Sequence, residues 1–214
     1  MRPLAVALVL LTLLSTAAQP PRAAGTYAAL KQQAEAAYAE KSFGRAHETY
    51  AQASQVAPPD EQRWVAMRLA DTSWRMDAAN PVADDTQRQT AQRALEGLIR
   101  DSGDDHDRIW AEANESLGDD WWTHPRLRNL SVAQPWYIAA LDWWAGSADL
   151  PLARRRYLAI VFRMAEQPDQ GYHVWQMASY IPRDVLQNAV AIAEAPEDRA
   201  HARYLLATVL INTG

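Results

Sequence analysis

The chain has 214 residues, a formal net charge of -5 and no cysteine. The missing thiol excludes a disulfide framework and an acylated cysteine after a leader, and the acidic balance gives no electrostatic reason to expect nucleic acid. Nine tryptophans against two phenylalanines is the compositional oddity to be explained.

Met1, Arg2 and Pro3 form a short basic start, and residues 4–14 are almost unbroken apolar. Small residues and then Gln19, Pro20 and Pro21 follow. This pattern reads as a secretory signal peptide over residues 1–24, with cleavage expected near Ala18, Gln19 or Ala24. The apolar run is short of the roughly 20 residues that a membrane span needs. An uncleaved N-terminal anchor is the alternative, and no stable span is expected once the leader is removed. An exported chain without cysteine suits a bacterial periplasm or cell surface. About 190 residues remain, enough to bury a substantial core.

From residue 25 onward helix period prevails, and Ala, Leu, Gln, Glu and Arg are abundant. The expected class is all-α. Pro58 and Pro59, residues 80–85, 101–105, 123–135 and 167–171, and Pro196 punctuate the pattern into about nine or ten helices, with 123–135 the longest connection. In the first unit Ala34, Ala46 and Ala53 let two helices approach closely, Tyr38, Phe43 and Tyr50 fill the remaining space, and Pro58 ends the second helix. The second unit is looser: Ala66, Leu69, Ala70 and Trp74, a polar insertion at 76–85, then Ala91, Leu95 and Leu98. Residues 105–133 fit poorly and are expected to be a lone helix with a structured loop. A third pair runs through Trp136, Trp144, Asp149, Leu150, Ala153, Tyr157 and Ile160, with Leu141 where a small residue belongs. At the C-terminus, Ala207 takes the small position of one more helix, whose apolar face of Leu206, Leu210 and Ile211 lacks a capping helix. The domain spanning 25–214 is therefore expected to be truncated at its C-terminus.

The first unit resembles a tetratricopeptide repeat, a helix-turn-helix of about 34 residues. That resemblance implies a right-handed α-solenoid of antiparallel helix pairs. The succession from YAALKQQAEAAYAEKSFGRAHETYAQA through WVAMRLADTSWR to ANESLGDDWW and ALDWWAGS also resembles the N-terminal helical region of large exported bacterial proteins whose later part is alpha-2-macroglobulin-like. This second resemblance implies protease trapping or envelope defence by downstream domains. None of the thioester chemistry found in some members can be assigned to a chain without cysteine.

Residues with chemical potential are sparse. Asp101, Asp104, Asp105 and Asp107 surround Gly103, but a calcium loop would need a closing bidentate Glu, so helix capping by Asp104 and Asp105 is the favoured reading. His47, His106, His124, His173 and His201 include no i, i+4 pair, and no nucleophile elbow, phosphate loop or dinucleotide turn occurs. Arg154, Arg155 and Arg156, with Arg163, can meet an anionic polymer or lipid headgroup, against a favoured reading as a solvated, ion-paired helix face. Adjacent residues on a helix are about 100° apart, so one tryptophan of each pair enters the core and the other lines a groove. The groove candidates are Trp122, Trp136, Trp144 and Trp175, with Trp122 and Trp144 taken as the outward members.

These readings point to a non-enzymatic exported scaffold, without cofactor or metal, that holds a protein or peptide partner or downstream domains of its own chain. The alternative is a periplasmic accessory factor or envelope enzyme that binds carbohydrate or peptidoglycan on a tryptophan-rich surface.

Overall fold

The computed structural model describes residues 26–80, 82, 85–147, 150–165 and 177–213. Among these residues the protein is all-α, with nine helices and no strand. No described helix is long and apolar enough to cross a membrane.

The first two helices, α1 (Tyr27–Ala39) and α2 (Phe43–Ser54), form the helix-turn-helix that the alanine spacing predicts. Ala34, Ala46 and Ala53 are fully buried, and Tyr38 meets Phe43 edge to face at 5.5 Å. The turn closes through Lys41, whose φ of 57° lies in the left-handed region. Lys41 N–H donates to the Tyr38 carbonyl and Ser42 N–H to the Ala37 carbonyl, both at 2.9 Å. This pair of bonds satisfies the last carbonyls of α1, in a position where glycine is the usual choice.

Pro59 opens α3 (Pro59–Ala79), and Asp60 and Glu61 place carboxylates at its positive end. The expected insertion at 76–85 is shorter than the sequence suggests, because α3 continues past Trp74 to Ala79. Its last turn is held by Asp77, which is buried and accepts a 2.7 Å bond from Arg126. After α4 (Thr86–Arg100) the chain enters α5 (Arg108–Thr123). The expected capping residues Asp104 and Asp105 lie exposed before it, and Asp107 is the cap, accepting from the Trp110 N–H at 2.8 Å.

The long connection expected at 123–135 is also shorter. Asn129 caps α6 (Leu130–Ala145), so Pro135 lies inside that helix, where its missing N–H forfeits one intrahelical bond. Three further helices follow: α7 (Leu150–Ala165), α8 (Arg183–Ile192) and α9 (Pro196–Thr213). In α9 the inward residues are Ala202, Leu205 and Val209, with Leu206 half-buried against them, whereas Ala207 is exposed. The expected small crossing position is thus Ala202, and Leu210 and Ile211 face outward, Ile211 being 81% exposed.

Helices pack chiefly on their sequence neighbours, and α3 additionally meets α5. Three apolar clusters result: one within α1 and α2, one joining α3, α4 and α5, and the largest running from α5 to α9. Helices α5 and α6 meet where Gly118 faces the buried Tyr137 ring so tightly that a Cβ would sit 2.5 Å from it.

Candidate functional site

Helix α5 carries the sequence ANESLGDD, polar on its face, yet every residue from 111 to 120 is buried. It is no lone helix beside a loop. It is the centre of the molecule, touching α3, α4 and α6 and reached by arginines of α7. Burial of Glu112, Glu115 and Asp119 would be prohibitive without partners, since an isolated buried carboxylate either neutralises or unfolds its host.

The partners come from periodic stripes. Glu112, Glu115, Ser116 and Asp119 stand at i, i+3, i+4 and i+7 on α5, Arg68, Asp71 and Arg75 at i, i+3 and i+7 on α3, and Arg156 and Arg163 seven apart on α7. Arg75 holds both oxygens of Asp71 through Nε at 3.1 Å and reaches Asp119 with Nη2 at 2.7 Å. Arg163 pairs with Asp119 and, at 3.4 Å, with Glu115. Arg156 makes longer contacts, 3.3 Å to Glu115 and 3.4 Å to Glu112. Arg108 approaches Glu112 at 2.7 Å. Neutral donors complete the layer: Ser116 Oγ donates to Asp71 at 2.6 Å, Trp74 Nε1 donates to Ser116 at 2.9 Å, and Tyr137 hydroxyl donates to Asp119 at 2.9 Å. On the α1 side Arg68 pairs with Glu35 at 3.1 Å and lies over the Tyr38 ring at 4.7 Å.

Burial and charge act against each other on these carboxylates. Burial pushes Asp71 up, but Arg75 and Arg68 outweigh it and hold the carboxyl down to about 2. At Glu115 burial wins over Arg156 and Arg163, and the carboxyl is raised above its ordinary value. The guanidiniums of Arg75, Arg156 and Arg163 are held charged by the same carboxylates, although burial opposes it.

The layer opens onto a cleft of about 570 Å³ bounded by Tyr38, Lys41, Phe43, Arg75, Thr123, Arg156 and Arg163, with Glu115 and Asp119 in its floor. Cations are the charges shown to solvent there. The side chains of Arg75, Arg156 and Arg163 are 17%, 26% and 23% exposed and Lys41 is exposed, whereas Glu115 and Asp119 are 5% and 4% exposed.

A second buried cluster ties the far end of α5 to α3 and α4. Arg126 bridges Asp77 and Asp85, His124 lies 3.4 Å from Asp77, and Arg88 lies 3.6 Å from the wholly buried Asp120. Burial lowers His124 and raises Asp120 to about 6, the latter against Arg88 and Gln92. Among the described residues, no three His, Asp or Glu side chains gather as a metal-ligand set.

The tryptophans divide differently from the expectation. Trp122 and Trp144 are the inward members of their pairs, and Trp121 and Trp143 are the half-buried ones. Trp122 lies seven residues after Glu115, on the stripe facing α7, and its Nε1 donates to the Arg163 carbonyl at 2.7 Å. Trp144 is 2% exposed within the largest cluster. Trp136 is half-buried against the cluster of α3, α4 and α5, and Trp175 lies outside the described residues. The arginines adjacent in sequence do not form one patch: Arg154 pairs with Glu194 on the surface, and Arg156 and Arg163 turn into the polar layer. The charge periodicity on α3, α5 and α7 was the available signal for this site.

No protein-family model matches the chain. No curated protein matches it.

Proposed function

We propose that residues 25–214 form a non-catalytic, exported scaffold, a right-handed α-solenoid of tetratricopeptide-like helix pairs that holds a partner polypeptide in the cleft lined by Tyr38, Lys41, Phe43, Thr123, Arg156 and Arg163. The observation that carries this reading is the cleft itself, about 570 Å³, whose charged walls are fixed in advance by buried ion pairs. Rigid side chains lose little entropy on binding, which favours recognition over a floppy surface. The neighbour-to-neighbour packing of the helices supports the solenoid, and the basic, apolar start of the chain supports export.

A photo-reactive residue placed at Lys41, with a matched probe at the exposed Glu96 on α4, tests the reading in cells that make the protein. A discrete protein adduct from position 41 alone is expected. Adducts from both positions alike, or from neither, refute it.

A further inference from the structure

We infer that the cleft selects a short acidic polypeptide segment. This rests on the scaffold reading above and specifies the chemistry of its partner. Four cations, Lys41, Arg75, Arg156 and Arg163, border the cleft against two carboxylates, Glu115 and Asp119. The two carboxylates are nearly sealed in the floor, while the guanidinium edges and the lysine reach solvent. The field at the mouth is therefore positive, and low-dielectric walls concentrate it.

Of the three guanidiniums Arg156 makes the longest contacts, 3.3–3.4 Å to Glu112 and Glu115, long for charge-assisted bonds. An incoming carboxylate can take the geometry those contacts leave open. Behind the lining, Arg68 and Arg108 stand against Glu35, Asp71 and Glu112, so the surplus of positive charge is a single unit, placed at the rim by Lys41. The ring edges of Tyr38 and Phe43 give apolar contacts between acidic side chains, a combination that suits a polypeptide better than a bare polyanion. The chain as a whole carries a net charge of -5, so a long uniform polyanion or an anionic bilayer meets repulsion beyond the cleft, whereas a short segment does not.

The test uses fluorescence anisotropy of a labelled peptide of alternating Glu and Leu, its Gln-for-Glu counterpart, and a heparin fragment of equal charge as competitor. Binding of the acidic peptide is expected to exceed that of the Gln counterpart at least tenfold and to weaken with salt. Lys41→Glu, at an exposed site, is expected to weaken it roughly three- to tenfold, from a charge reversal worth about 1 kcal/mol. Arg93→Glu, the same change on the outer surface of α4, is expected to leave it unaltered. Equal binding of the Gln peptide, equal effects of the two variants, or full competition by heparin overturns the inference. If the acidic peptide fails while position 41 still crosslinks a protein, the acidic specificity falls and the scaffold survives; if both fail, both readings fall.

Discussion

Gly118→Ala isolates the contact on which the α5–α6 packing depends. The added Cβ would lie 2.5 Å from Cδ1, 2.6 Å from Cε1 and 2.9 Å from Cγ of Tyr137. The ring is fully buried and its hydroxyl is tied to Asp119 at 2.9 Å, so it cannot swing clear without breaking that bond. Overpacking of this kind costs about 2–3 kcal/mol. Alanine in place of glycine in a helix interior returns about 1 kcal/mol. The net loss is about 1–2 kcal/mol, which for a domain of this size lowers Tm by roughly 2–8 °C. Thermal unfolding followed by circular dichroism at matched concentration measures it. Tyr137→Leu removes the offending ring, so Gly118→Ala should cost less in that background, with a coupling of about 1 kcal/mol or more. An unchanged or higher Tm for the single variant, or strict additivity in the cycle, would refute the argument that the two helices meet through that glycine.

Asp119→Asn leaves Arg75 and Arg163 short of a buried counter-charge and should destabilise by about 3 kcal/mol, read from urea unfolding. Asp120, raised from 3.8 to about 6 by burial, binds its proton more tightly when folded, so the stability it allows is complete below pH 4 and is lost as pH rises through about 6. Asp120→Asn should therefore gain on the order of 2–3 kcal/mol over the parent at pH 8 and nothing at pH 4; an equal gain at both would contradict the assignment. Trp144→Ala should cost about 3–5 kcal/mol, and the half-buried Trp121→Ala clearly less, because only the former empties the core. Titration with peptidoglycan fragments should leave the emission of Trp122 and Trp144 unchanged, since both indoles are sealed; a saturable shift traced to either by substitution would restore the carbohydrate reading.

How much of this was legible in the sequence differs from element to element. Ala34, Ala46, Ala53, Tyr38 and Phe43 gave α1 and α2 correctly because helix pairing there is a local matter of small and large residues at helical spacing. Ala153, Tyr157 and Ile160 likewise defined the buried face of α7. The same reasoning misplaced α5, because hydrophobicity is a rule about isolated side chains and ANESLGDD obeys it only in the company of Arg75, Arg156 and Arg163, which lie 44, 41 and 44 residues from their partners. It also chose the outward tryptophan of each pair wrongly, since one hundred degrees of helical rotation says that the two indoles diverge and not which one faces a neighbour.

The all-α class, most helix boundaries and the small-residue crossing of α1 with α2 follow from local sequence, since propensity, caps and local periodicity act over a few residues. Tertiary structure alone decided that the most polar helix is the central one, that Arg156 and Arg163 belong inside the layer while Arg154 stays on the surface, and that Lys41 stands at the rim of a cationic cleft. The physical reason is that a buried charge is tolerable only beside its counter-charge, and which distant residues become neighbours is fixed by how the helices stack.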